Sequence, residues 1–428
     1  MVDFTLSASE SQTVSAARTF AKTHLTTAKT LYTPLQTAEA RFQSLKPTYE
    51  AAVKAGLIKA QIPAPVGGTS TSLVDAAILV EEFYAVEASA SLTIFGTGLG
   101  LTPLALAFKP EFGEFLQPFL TGEGAPLASL VFSEPAGVAN WLEPGAPGLQ
   151  TTAYRDGDEW VLNGEKIWAT NSAGWDFGGA DLGCVVCRCV DEDIVAGASH
   201  PRDLILVLLV TRADIDRNGP ESFQVLKHID TVGHTAVSGP HLKYTNLRVP
   251  AKNLLCAPGT GAEVITHSFE ISAMLVGAMG VGIQRAVFDA ALAFSRTTRG
   301  GTVPIGQRQS VADLLINIKM RTETSRYLTW KAAHCLISGP GEHDQRRELA
   351  LLAKVHCSDS AVQSCLDAVN AVGVSAYNVD FPFTEFLSTA LVLPIFDGGN
   401  VGIRRRALQD LFMSEGYQPW ATSLGADV

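Results

Sequence analysis

The hydrophobic spacing of this 428-residue chain changes character twice, and that change limits the fold more than any other feature. Up to about residue 125, apolar positions fall three and four apart, as over 73–85, which is the signature of a buried helix face. Thr121-Gly122-Glu123-Gly124 closes this stretch. From Pro126, short runs rich in Val, Leu and Cys take over at 127–132, 159–162, 183–190, 204–210 and 242–247. Gly, Pro, Asn and Asp separate them, which predicts an antiparallel β-domain that ends near Pro250 and Asn253. After Gly261 helical spacing returns, with helices expected over 268–295, 311–336, 347–372 and 400–413. The organisation is thus an N-terminal helical domain (1–125), a middle β-domain (126–258) and a C-terminal four-helix-bundle-type domain (259–428). Gly277, Gly280 and Gly282 inside the first long C-terminal helix each cost about 1 kcal/mol of helix propensity relative to Ala. Close approach of another backbone is the expected return.

A chain of this length exceeds what one core usually organises. Its net charge of −11 is spread without long blocks, and the single basic cluster, Arg404-Arg405-Arg406, is too short to suggest a nucleic-acid partner. The opening MVDFTLSASE lacks the basic-then-apolar pattern of a signal peptide, and the last residues carry no lipidation or peroxisomal address. The longest strongly apolar run, 204–210, falls short of the roughly 20 residues a membrane helix needs. A cytoplasmic protein without a membrane partner is expected. Seven cysteines are present, three of them as Cys184, Cys187 and Cys189 on one expected strand. Alternation turns Cys184 away from the other two, and no second cluster follows at zinc spacing. Buried thiols, and no metal, are the reading.

Three short motifs set polar groups among apolar ones: Phe132-Ser133-Glu134-Pro135, Gly164-Glu165-Lys166-Ile167-Trp168-Ala169-Thr170-Asn171, and Phe396-Asp397-Gly398-Gly399-Asn400. Taken alone, Trp168 suits a core aromatic and Asp397 the cap of a helix starting near Asn400. Arg299 suits a solvated arginine, and Ser272 a mid-helix serine bonded to the preceding turn.

Taken in order, together with Gly56-Leu57, Pro63, Gly67-Gly68 and Glu81-Glu82, these motifs resemble the acyl-CoA dehydrogenase superfamily over essentially the whole chain. They are similar to its Thr-Glu-Pro turn, its Gly-x-Lys-x-Trp-Ile-Thr-Asn strand and its Tyr-Glu-Gly-Thr segment. Within the superfamily the closer resemblance is to the nitroalkane oxidases. It rests on Ser133-Glu134-Pro135 followed by Ala139-Asn140-Trp141, on Asp397 in place of Glu, and on Gly398-Gly399-Asn400 followed by Arg404-Arg405-Arg406. The opening MVDF and Gln418-Pro419-Trp420 fit the same group.

The resemblance implies an α+β, acyl-CoA dehydrogenase-like fold, an FAD cofactor, and a homotetramer whose FAD sites are shared between subunits. It places Leu130, Val131, Phe132, Ser133, Trp168, Ala169 and Thr170 at the flavin, with Trp168 and Thr170 expected on one side of a strand and Thr170 reaching N5. Gly137 and Ala139 fall near the phosphates, although the family's Gly-Ser-Asp appears here as Val138-Ala139-Asn140. Gly398 and Asn400 complete the near side. Arg299, or Arg296 given a one-residue difference in spacing, matches an arginine that contacts a neighbouring subunit's FAD. Gln309 matches a glutamine near the adenine. Asn370 and Gly373 match the first positions of a Gln-x-x-Gly-Gly loop, with Val374 in place of the last Gly.

Asp397 is the implied base, with Arg404, seven residues on, as its ion-pair partner and Ser272 as a hydroxyl that orients the carboxylate or substrate. In a nitroalkane oxidase the Asp takes a proton from the carbon bearing the nitro group, and the carbanion adds to flavin N5. Nitrite leaves, and oxygen and water complete the cycle to an aldehyde or ketone and hydrogen peroxide. The alternative is an acyl-CoA dehydrogenase, in which a Glu takes an α-proton and the β-hydride passes to FAD. The shorter Asp and the lost hydroxyl at Ala139 favour the first, with a small nitroalkane and molecular oxygen as reactants.

Overall fold

The structure, a computed structural model, describes residues 5–340 and 342–425. The chain forms two compact units, each gathered from separate stretches of sequence. A sheet unit comprises Thr27–Thr71 and Ser89–Ser268, and a bundle unit comprises Met1–Thr26, Ser72–Ala88 and Phe269–Val428. The helices of the first 125 residues are therefore divided between the two.

In the sheet unit, β1 (Ala128–Val131), β2 (Thr152–Asp156), β3 (Glu159–Ile167), β4 (Leu182–Cys189), β5 (Ile205–Thr211), β6 (Phe223–Lys227), β7 (His241–Pro250) and β8 (Leu254–Cys256) make one sheet. Their order is β6-β7-β3-β2-β4-β5-β8, with β1 beside β4. Most pairings are antiparallel as expected, but β1 and β2 both run parallel to β4, so the sheet is mixed. A tight turn forces an antiparallel neighbour, as at Gly157-Asp158 between β2 and β3. β1 leads instead into the long loop 132–151, which leaves its neighbour free to run parallel. β4 and β5 are buried on both faces, which is why their sequences are apolar without alternation. β2, β6 and β8 were not anticipated; β2 is half polar and mostly exposed, and carries no strand period.

All seven cysteines are buried and unbridged. Cys187 and Cys189 share one core cluster with Val185, Leu206 and Leu208. Burial pushes the Cys187 thiol up to about 12, so it is inert at neutral pH.

Helix Ala88–Leu106 is glycine-rich for a packing reason. A Cβ on Gly100 would lie 2.3 Å from the backbone nitrogen of Ser129, so the helix backbone rests directly on β1. In the bundle unit the long helices run over Gly261–Thr297, Gln309–Ser338 and His343–Val372, a few residues longer at their ends than the hydrophobic spacing predicts. Two of the three glycines meet backbone as expected, whereas a Cβ on Gly277 would first meet the Thr329 side chain, at 2.9 Å. A Cβ on Gly280 would lie 2.7 Å from Cys357 O, and one on Gly282 2.7 Å from Glu81 O. Helix Leu73–Tyr84 is tied to the bundle by charge. Arg285 grips Glu82 through Nη1 at 2.7 Å and Nη2 at 2.7 Å, Arg18 also binds Glu82, and Arg326 binds Glu81.

Helices Ala88–Leu106 and Gly261–Thr297 are long and apolar enough to cross a bilayer, a length of apolar helix the sequence reading did not anticipate. Their most apolar windows are 67% and 78% buried within the protein, as core helices are.

The Gly100→Ala substitution gains helix propensity but overpacks against β1. It is expected to lower stability by about 1–3 kcal/mol, read as a drop in Tm.

Candidate active site

Asp397 lies between Phe396 and Gly398, just before the last helices, in a backbone conformation that residues with a Cβ avoid, at φ +50°. Such strain costs about 1–3 kcal/mol and persists where surrounding contacts enforce it. Here Arg404 enforces it. The chain from Asn400 to Arg404 forms a π-helical turn before the α-helix Arg405–Phe412, and the wider turn brings Arg404 back over the Asp397 backbone. Arg404 Nη2 donates to Asp397 O at 2.6 Å and to Phe269 O at 2.9 Å, and reaches Asp397 Oδ2 at 3.2 Å. Gly398 leaves room for this: a Cβ there would lie 2.8 Å from Arg404 Nε, and its own φ is +75°.

Ser272, from helix Gly261–Thr297, donates to Asp397 Oδ1 at 2.5 Å and lies 3.3 Å from Phe269 O. The back-bonding serine and the carboxylate partner are thus the same residue. Asp397 does not cap the following helix, whose N-cap Gly399 receives no side-chain hydrogen bond. Burial drives the Asp397 carboxyl above its ordinary 3.8, while Arg404, Ser272 and the nearby Lys354 pull it back without cancelling the rise. A shielded carboxylate of raised proton affinity, held ionised by one guanidinium and one hydroxyl, is suited to take a proton from carbon.

Asn400 has several partners inside the bundle unit. Its side chain is buried and engaged by Lys354 Nζ at 2.8 Å, Ser358 Oγ at 2.9 Å and Asp359 Oδ1 at 2.8 Å. Lys354 escaped the sequence reading, although a lysine inside the apolar run 349–355 was a signal that it has buried partners.

In the sheet unit, Lys166 and Glu134 pair at 3.0 Å with both side chains buried. Lys166 Nζ also donates to Phe132 O at 2.8 Å, and Glu134 accepts the backbone N–H groups of Gln150 and Thr151. Burial alone would raise Glu134, but Lys166 and these N–H groups hold it below the usual range. The pair fixes the end of β1 against β3, where Ile167 N donates to Ser133 O at 2.9 Å.

β3 ends at Ile167, and Trp168 and Asn171 both take left-handed backbone angles of +66° and +69°. Trp168 and Thr170 therefore share no strand face, which corrects the alternation argument: a turn, not a pleat, presents them. Asn171 Nδ2 anchors that turn to Thr93 O and Thr97 Oγ1, and Gly96 makes room for Thr170. Trp168 is 55% exposed, so it is not a core aromatic. Its indole N–H and the hydroxyls of Ser133 and Thr170 have no hydrogen-bond partner among the described residues. Their neighbours in sequence, Leu130, Val131, Phe132 and Ala169, are buried. An apolar setting with unused donors fits a flat heteroaromatic ring that accepts hydrogen bonds.

Gly137, at φ +84°, and Ala139 lie on the exposed loop after β1. Arg299, Gln309, Asn370 and Gly373 stand on the surface of the bundle unit. Arg299 there binds the carbonyl of Thr302, and Gln309 binds Asp313 at 3.0 Å.

Replacing Gly398 by Ala pushes the guanidinium away from Asp397 and strains a left-handed position. Gly398→Ala is expected to destabilise by about 1–3 kcal/mol and to raise the Asp397 pKa further, checked by Tm and by infrared titration of the carboxyl.

Family models described as "Acyl-CoA dehydrogenase, N-terminal domain" and "Acyl-CoA dehydrogenase, C-terminal domain" match residues 7–123 and 259–410. A nitroalkane oxidase of Podospora anserina is 59% identical, over 99% of this chain and 99% of its own length. One of Fusarium oxysporum is 47% identical, over 100% of this chain and 98% of its own. A solved structure of Podospora anserina nitroalkane oxidase, 58% identical, superposes with a TM-score of 0.96 over 99% of this chain and 100% of that one. By contrast, a probable acyl-CoA dehydrogenase of Mycobacterium tuberculosis is 30% identical over 81% of this chain and 82% of its own. The chain belongs to the acyl-CoA dehydrogenase family, and within that family it stands with the nitroalkane oxidases.

Proposed function

We propose that this protein is an FAD-dependent oxidoreductase that converts nitroalkanes to aldehydes or ketones, releasing nitrite and hydrogen peroxide. The observation that carries this reading is the Asp397 carboxylate. It is buried, bonded by Ser272 at 2.5 Å and paired with Arg404, in a chain that matches nitroalkane oxidases end to end. Nitroalkane carbon acids are far more acidic than thioesters, so a single carboxylate of raised pKa suffices as the base.

Asp397 accepts the proton from the carbon bearing the nitro group. Arg404 and the Ser272 hydroxyl keep the carboxylate ionised beforehand. Once the carboxyl is neutral, Arg404 stays bonded to the Asp397 and Phe269 carbonyls, so the turn does not relax. FAD, when bound, supplies the electron acceptor that passes two electrons on to oxygen. Leu130, Val131, Phe132, Ser133, Trp168, Ala169 and Thr170 would hold its ring, with the free hydroxyls and indole N–H as donors.

Arg299, Gln309, Asn370 and Gly373 are exposed in the single chain, and beside the last two Val374, Tyr377 and Val379 are each exposed by more than 80%. An apolar loop left so open supports assembly into a homotetramer in which these residues serve the FAD of a neighbouring subunit.

Oxygen uptake by the yellow protein with nitroethane, assayed for nitrite in the same sample, tests the reading. Peroxide and nitrite in step with oxygen are expected; no uptake, with flavin bleaching by an acyl-CoA and an artificial acceptor, would overturn it. The Asp397→Asn variant is expected to lose roughly 10²–10⁴-fold in kcat/KM on neutral nitroethane while still turning over the preformed nitronate.

The base works only when ionised, so activity on the neutral substrate falls as pH drops through the Asp397 pKa, which burial places above 3.8. Ser272→Ala removes a donor to the ionised form, and the acid limb of the kcat/KM profile is expected to move to higher pH.

A further inference from the structure

Besides Asp397 and Arg404, a further charged side chain is buried in this cluster. Lys354, on helix His343–Val372, has no exposed side-chain surface and sits among apolar neighbours in sequence. An ammonium taken out of water needs acceptors for its N–H groups. Lys354 finds two on one loop: Leu393 O at 2.7 Å and Asn400 Oδ1 at 2.8 Å. These two residues bracket the segment 393–400, inside which Asp397 holds its left-handed backbone. Asn400 in turn donates to Ser358 and Asp359, one turn along the helix that carries Lys354. One end of the loop is thus pinned to that helix at two levels, and the other end by Lys354 itself.

We propose that Lys354 is a positioning residue for proton abstraction: it bridges both ends of the loop that presents Asp397 and gives that loop a buried positive charge in addition to Arg404. The inference rests on Asp397 being the base. Three elements set charged or polar groups against Asp397: Arg404 from the π-turn, Ser272 from helix Gly261–Thr297 and Lys354 from helix His343–Val372. Lys354 in turn feels Asp397, Arg404 and Asp359, and Asp359 is also bound by Arg405. Burial pulls the Lys354 ammonium down to about 8, which leaves it largely charged at neutral pH, where its field favours the Asp397 carboxylate. Losing that charge therefore lets Asp397 take up a proton at higher pH.

The test compares Lys354→Met, of similar length but uncharged, with Lys354→Arg, which keeps the charge, in the full FAD-bound protein. Lys354→Met is expected to lose roughly tenfold or more in kcat/KM on neutral nitroethane, one pKa unit being tenfold, while turnover of the preformed nitronate falls far less. Its acid limb moves up in pH, and Lys354→Arg recovers part of both effects. Equal losses on the two substrate forms, or an unmoved acid limb, would overturn the proposal.

A second readout does not depend on the substrate. The infrared C=O band of protonated Asp397, recognised as the band that Asp397→Asn lacks, should persist to higher pH in Lys354→Met than in the unmodified protein. An unchanged titration would sink the inference even if nitroalkane turnover stands, and a shifted one supports it even if the substrate proves to be another carbon acid. Should Lys354→Met not fold, Asn400→Ala removes one end of the bridge and is judged by the same two readouts.

Discussion

A carboxylate loses several kcal/mol of hydration when it is buried, and the structure around Asp397 is organised by how much of that loss is returned. One guanidinium at 3.2 Å and one hydroxyl at 2.5 Å return part of it, and a buried ammonium nearby adds more. The sum stays short of full compensation, so the carboxyl remains above its ordinary pKa. That shortfall suits the proposed role of Asp397 as the base. A fully compensated carboxylate would bind a proton too weakly to pull one from carbon, and an uncompensated one would already hold its proton at neutral pH.

Two other buried carboxylates, Glu134 and Glu82, show the opposite balance. Glu134 accepts Lys166 and two backbone N–H groups, and Glu82 accepts both Arg18 and Arg285; both are held below the usual carboxylate range despite burial. These are fastenings. Lys166 and Glu134 set the end of β1 against β3 and so present Ser133 and Trp168, while the glutamates of helix Leu73–Tyr84 tie it to Arg285 of the bundle. Removing one partner of such a pair leaves a buried charge alone, which explains why they are built with several donors each.

Backbone irregularity carries the functional groups in both units. Trp168 and Asp397 both sit at positive φ, each beside a residue that makes room or holds the turn: Gly96 and Asn171 for the first, Gly398 and Arg404 for the second. Strain of this kind survives because surrounding contacts over-determine it. The Phe396-Asp397-Gly398-Gly399-Asn400 motif and the Trp168-Ala169-Thr170-Asn171 motif are therefore readable as motifs, but their shapes are not. The pairing of Asp397 with Arg404 was anticipated from a separation of seven residues on an α-helix, yet it forms through a π-turn that such counting does not contain.

By itself, the sequence determined the change from helix to sheet to helix, the burial of the cysteines and the close packing at Gly280 and Gly282, because spacing and residue volume are local properties. It also pointed to Asp397 as the proposed base, since that residue stands in a recognisable motif. Tertiary structure alone decided that two strands run parallel to β4, that Asn400 serves Lys354, and that Trp168 leaves its strand before it can alternate. Each of these depends on which distant groups satisfy a buried charge or an open hydrogen bond, and that accounting closes only when segments far apart in sequence are brought together.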